Sequence, residues 1–189
     1  MAWISINFES KALGMPVMTN VLMPQGRGGY KTLYLLHGAG GDYASWLLKS
    51  RVADYAEGKN IAVVMPSGNN KCYVNNRYGK DYFTFLTEEL IEKCETWFDL
   101  SPKKEDRFIA GMSMGGYGAY KWGLTCPEKF AAIGGVAGSY HAEYRYQGKV
   151  NTVSTLCEAL YGDPPAITPE VHDVFTLLKN RKEEGRDIP

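Results

Sequence analysis

The chain has 189 residues, 44% hydrophobic and 22% charged, enough for one domain with a substantial core and too ordinary a mix for a disordered chain. Lys plus Arg and Asp plus Glu balance at 21 each with no basic run, which argues against a nucleic-acid partner or an anionic membrane surface. Met1-Ala2-Trp3-Ile4-Ser5 lacks the basic start and apolar stretch of a signal peptide, and no apolar run approaches the roughly 20 residues that cross a bilayer. Cys72, Cys94, Cys126 and Cys157 are widely spaced without a Cys-x-x-Cys pair, so reduced thiols and a cytoplasmic location are expected.

Residues 2–8 alternate apolar and polar, as a half-buried strand does, and Pro16 to Met23 reads as its antiparallel partner. Thr32-Leu33-Tyr34-Leu35-Leu36 is a nearly continuous apolar run, typical of a strand covered on both faces. His37-Gly38-Ala39-Gly40-Gly41-Asp42 closes it, with Asp42 expected to cap one helix reaching Glu57. Ile61 to Met65 is a second buried strand, followed by an Asn- and Tyr-rich loop over residues 69–79. Asp81 is expected to cap a long helix to Leu100, with Phe83, Leu86, Leu90, Cys94 and Trp97 as its apolar stripe.

Next comes Phe108-Ile109-Ala110-Gly111-Met112-Ser113-Met114-Gly115-Gly116-Tyr117-Gly118, an apolar run entering Gly-x-Ser-x-Gly and then a stretch of helical character to Leu124. Strand, tight turn and helix in that order are the context of a nucleophile elbow, which lifts one hydroxyl clear of a sheet. Gly111 and Gly115 flank the serine because a Cβ at either would strike a neighbouring element as the chain reverses. Ala131 to Ala137 is a further strand. Thr152 to Tyr161 and Pro169 to Glu184 look helical, and Ile188-Pro189 could open another strand. Strands alternating with helices after a β-rich start predict an α/β fold with a mainly parallel sheet and helices on both faces. In such sheets ligands collect beyond the carboxyl ends of the strands, where both His37-Gly38-Ala39 and Ser113 fall.

Attack by Ser113 on an ester carbonyl creates an oxyanion that prearranged backbone amides can hold. One donor should be Met114, at the start of the next helix. The other should come from the loop after the first central strand: Ala39, with Gly40 its neighbour. His37 precedes these glycines and is expected to brace the loop rather than act as base. His141 (with Glu128) and His172 (with Asp163) follow Ser113 in triad order, but neither pair has a convincing context. Gly40, Tyr73 and Tyr140 are candidate substrate contacts. Tyr73 shares a loop with Asn69, Asn70, Asn75, Asn76 and Tyr78, and Tyr140 lies beside Ser139, Tyr144, Arg145 and Tyr146. Aromatic and amide groups of this kind suit a sugar or phenolic ester.

These segments, with Tyr34-Leu35-Leu36-His37-Gly38, Val64-Met65-Pro66-Ser67-Gly68 and Asp81-Tyr82-Phe83-Thr84-Phe85-Leu86-Thr87-Glu88-Glu89-Leu90, resemble the esterase D family of α/β-hydrolases, and within it the bacterial tributyrin esterase or acetylesterase branch. The resemblance spans residues 1–189 as a single domain. It implies hydrolysis of short-acyl carboxylic esters (acetyl or butyryl) through an acyl-enzyme on Ser113, with Ala39 and Met114 as oxyanion amides and no metal or organic cofactor.

It also implies a cap-like helical insertion over 138–187, then a strand carrying the acid Asp and a later loop carrying the base His. That strand would begin near Ile188, so the C-terminal strands of the fold, acid and base included, are expected to lie beyond Pro189. On that basis the 189 residues alone should hydrolyse esters feebly. The open sheet edge should favour a homo-oligomer or a complementing C-terminal segment. An acyltransferase on the same fold and a catalytically silent scaffold are the competing interpretations.

Overall fold

A computed structural model describes residues 1–26, 28–140 and 169–189. The expectations for His141, Tyr144, Arg145, Tyr146, Cys157, Asp163 and a helix over 152–161 lie outside the described residues. Strands β1 (Ala2–Ser10) and β2 (Met15–Met23) form an antiparallel hairpin. β3 (Lys31–Leu36), β4 (Ile61–Pro66), β5 (Arg107–Met112) and β6 (Ala132–Val136) complete one sheet in the order β1-β2-β4-β3-β5-β6. β2 meets β4 antiparallel, and β4, β3, β5 and β6 run parallel. The chain leaves β3 toward β4 on one side and returns as β5 on the other. This reversal opens a crevice at the carboxyl ends of β3 and β5.

The alternation of side chains along each strand divides the core between the two faces. One face takes Val21, Tyr34, Leu36, Val64 and Ile109 and packs them against α5 (Met114–Thr125) and the helical segment that begins at Tyr82. The other takes Leu22, Leu35, Val63 and Met65 under two five-residue helices, α1 (Ser45–Lys49) and α2 (Val52–Ala56). Cover on this second face thins toward β6, where Met112 is 45% and Val136 67% exposed. Among the described residues β6 pairs with β5 alone. No helix among the described residues is long and apolar enough to cross a membrane.

Three helical expectations need correction. The single helix to Glu57 is two, because Ser50 is extended (φ −144°, ψ 175°) and its Oγ accepts the Val52 N–H at 3.2 Å. Asp42 serves the approach rather than the cap, accepting from Ala44 N (2.9 Å) and Ser45 Oγ (3.0 Å). The helix after Asp81 ends at Trp97 rather than Leu100, and Asp81 makes no side-chain capping bond. That helix is α3 (Tyr82–Thr84), a π-helical stretch Phe85–Leu90 and α4 (Ile91–Trp97). The wider π turn rotates the inward face relative to a 3.6-residue period. The buried set is therefore Tyr82, Phe85, Leu86, Thr87, Leu90, Ile91 and Cys94, with Trp97 45% exposed. The last helices, α6 (Pro169–His172) and α7 (Val174–Glu183), are separated by Asp173, which caps α7 by accepting from Thr176 N at 2.8 Å.

Helix α5 holds α6 through two side chains one turn apart. Tyr117 Oη donates to His172 O (2.8 Å) and Lys121 Nζ to Val171 O (2.7 Å). Lys121 is buried and its ammonium stands 4.4 Å from the centre of the Phe83 ring. Burial brings its pKa down from 10.5 to about 8. A folded amine with a lowered pKa releases its proton before the unfolded one does, so stability rises as pH climbs from the folded value toward the unfolded one. Cys94 opposes this from about pH 8, because burial pushes its thiol up to about 12 and the unfolded thiol ionises first. Urea denaturation between about pH 8 and 9 is expected to show a net gain of about 0.3 kcal/mol, which Lys121→Met should turn into a loss.

Candidate active site

β5 runs into Ser113, which carries φ +54° and ψ −119° and heads α5. A side chain rarely adopts that backbone region, which costs about 1–3 kcal/mol. It is held there from both sides. Ser113 N donates to Val136 O on β6 at 2.8 Å, and Ser113 O accepts from Tyr117 N at 3.1 Å. The flanking glycines are where contact is closest. A Cβ on Gly111 would lie 2.3 Å from Gly115 O, and one on Gly115 would lie 2.3 Å from Leu36 O. The hydroxyl is partly exposed, makes no bond to the helix it heads, and has no hydrogen-bond partner among the described residues.

The loop after β3 lies against this corner. A Cβ on Gly38 would sit 3.4 Å from both Ser113 Cβ and Met112 O. His37 is buried, with Nδ1 2.7 Å from Gly38 O and Nε2 2.8 Å from Gly68 N. A carbonyl can only accept and an amide N–H only donate, so the ring is neutral with its proton on Nδ1. Burial lowers its pKa from 6.5, partly offset by the Gly38 carbonyl and by Asp42. With both nitrogens committed, His37 is a brace, not a base.

The structure separates the proposed amide donors. Gly40 N–H is spoken for, donating to Asn70 Oδ1 at 2.7 Å. Ala39 is exposed, and neither its amide nor that of Met114 has a partner among the described residues. Met114 is the first residue of α5, where an N–H has no intrahelical acceptor and the helix dipole favours negative charge.

Two of the candidate substrate contacts pack against the protein itself. Tyr73 is 1% exposed. Its ring fills the space left by Gly68 and Gly118, and its hydroxyl donates to His37 O at 2.9 Å. Tyr140 is half-buried, stacked edge-on to Tyr120 with centroids 5.1 Å apart, and its carbonyl accepts from Val174 N. Gly40 is exposed but contributes its N–H to Asn70 rather than to a ligand.

Sequence reasoning missed Tyr73 as a brace, Asn70 as an acceptor and the Asn69–Tyr82 bond (2.6 Å) that anchors the same loop. The fourth glycine of the elbow, Gly118, was the available signal for Tyr73, since a helical glycine at that point leaves room for a ring. His172 offers its carbonyl to Tyr117, and the expected partner Asp163 is outside the described residues.

The Esterase family, described as "Putative esterase", matches residues 10–174. An acetyl esterase of Caldicellulosiruptor saccharolyticus is 31% identical over all of this chain, which spans 77% of that enzyme. The substrate-bound structure of fluorophosphonate-binding serine hydrolase F of Staphylococcus aureus superposes with a TM-score of 0.88 at 32% identity, over 100% of this chain and 76% of that one. An S-formylglutathione hydrolase from the same organism gives 0.85 at 31% identity, again over 100% and 76%. The family match over residues 10–174, with the likeness to these esterases and serine hydrolases along the whole chain, places the protein in the esterase family of α/β-hydrolases, as a serine-dependent carboxylic ester hydrolase.

Proposed function

We propose that Ser113 is the nucleophile and that the substrate is a short-acyl carboxylic ester, acetyl or butyryl in size. Ser113 Oγ attacks the carbonyl carbon and the carbonyl oxygen takes up the charge, received by Ala39 and Met114 N–H. Collapse expels the alcohol and leaves the acyl group on Oγ, and water then releases the acid. The observation that carries this reading is the strained Ser113 corner with the Gly38 loop packed against it, where Gly40 N–H is already bound and the Ala39 and Met114 amides are uncommitted among the described residues. Each such donor is worth about 2.7–4 kcal/mol of transition-state stabilisation. The acetyl esterase relative supports the small acyl group.

Among the described residues no group hydrogen-bonds to Ser113 Oγ. A serine without its base is a weak nucleophile, and its loss costs about 10⁶ in turnover in a well-characterised protease. Among the described residues β6 has one unpaired edge, and the exposed Met112 and Val136 beside it are where a further segment or a second copy of the chain would pack. Incubation of the protein with a fluorophosphonate, read by peptide mass, should modify Ser113. Modification elsewhere, or none, would overturn the assignment.

A further inference from the structure

The loops after β3 and β4 are pinned to each other at three points. Gly68 N donates to His37 Nε2, Tyr73 Oη donates to His37 O, and Gly40 N donates to Asn70 Oδ1. The first two fasten the base of the β3 loop. The third acts at its tip, one residue from Ala39. Asn70 is held for this by its own backbone, at φ +56°, a left-handed conformation that asparagine tolerates better than most residues. Asn69 beside it is also left-handed (φ +44°) and is bonded to Ser67 Oγ at 3.0 Å and Tyr82 Oη at 2.6 Å. Asn70 is thus presented from an anchored segment.

Consecutive amides in a turn compete for a bound anion. With Gly40 N–H committed to a neutral carbonyl oxygen, Ala39 N–H is the donor left at the tip. Gly40 (φ +74°) and the Gly41 N to Gly38 O bond at 3.1 Å give the loop the tight turn that divides the two amides between different acceptors. The acceptor must also be uncharged. A carboxylate in its place would keep the bond and yet set a negative charge beside the developing oxyanion.

We propose that Asn70 is a positioning residue of the oxyanion hole, fixing Ala39 as its loop donor through an uncharged hydrogen bond to Gly40. This rests on the assignment of Ser113 and Ala39 above. It is tested by fluorophosphonate modification of Ser113 as a function of probe concentration, because attack on phosphorus loads negative charge onto an oxygen in the same place. Amide exchange of Gly40 is followed in parallel. Asn70→Ala is expected to speed Gly40 exchange and to cut the maximal modification rate by about 10- to 100-fold with little change in half-saturating concentration. Asn70→Asp is expected to keep Gly40 protected and yet slow modification about tenfold, through charge alone. A merely structural tie predicts wild-type rates for Asn70→Asp, and that result overturns the proposal even if Asn70→Ala folds poorly. Wild-type rates in Asn70→Ala overturn it as well. If the unmutated Ser113 is never modified, the assignment of the nucleophile fails and this inference falls with it. If Ser113 is modified and only the variants behave normally, Asn70 alone has been misread.

Discussion

Alanine in place of Gly115 is expected to leave little folded protein. Its Cβ would stand 2.3 Å from Leu36 O, 2.6 Å from Leu36 C and 2.7 Å from His37 O. These are backbone atoms at the end of β3, a central strand hydrogen-bonded to β4 on one side and β5 on the other. A flexible side chain could swing away, but this backbone cannot move without parting the sheet. Ordinary overpacking costs about 1–3 kcal/mol, and a backbone clash of this depth belongs in the tail beyond about 4 kcal/mol. Against a total stability of about 5–15 kcal/mol that removes most or all of the margin. Gly134→Ala is the control, since its Cβ would be 3.3 Å from Ala110 Cβ, a contact that small shifts relieve. Circular dichroism melting of the two variants checks the contrast. A Gly115→Ala protein melting within a few degrees of wild type would mean that Ser113 is not held as described.

Ser113→Gly is expected to separate activity from stability. Glycine adopts φ +54° without the penalty that serine bears, so about 1–3 kcal/mol of strain is released. The greater freedom of glycine in the unfolded chain returns about 0.5–1 kcal/mol of that, leaving a net gain near 1 kcal/mol. Ester hydrolysis should meanwhile fall by up to about 10⁶, because the attacking oxygen is gone. Paired urea melts and p-nitrophenyl acetate assays read both quantities. A variant that is inactive but no more stable than wild type would show that the corner is not strained. One that keeps its activity would remove Ser113 from the chemistry.

Much of this was legible in the residues. The apolar runs over β3, β4 and β5 read as buried strands because each is covered on both faces. The Gly-x-Ser-x-Gly turn announced itself because glycine is the residue type such close approach demands. What stayed hidden was imposed by tertiary packing. The π-helical stretch Phe85–Leu90 moved the buried face off a regular period, so Trp97 is 45% exposed while Phe85 and Ile91 entered the core. Asn69, Asn70, Cys72 and Tyr73 all have positive φ, which no local propensity requires of a cysteine or a tyrosine. That backbone path turned Tyr73 inward and Asn70 toward Gly40, so residues that looked like ligand contacts became the frame of the site. Ser50 was overlooked as a helix stop because its hydroxyl, rather than a glycine or proline, breaks the helix.

The unequal cover of the two sheet faces has a bearing on the chemistry. The segment that presents Ala39 leads directly into α1, part of the lighter layer, where two five-residue helices have little length with which to hold themselves. Left to follow that layer, the Ala39 amide would drift whenever it loosened. The pins from Gly68, Tyr73 and Asn70 instead moor the segment to the loop after β4, whose Tyr73 sits in the heavier core. Loosening of residues 45–56 would therefore leave the Ala39 segment moored beside the Ser113 corner.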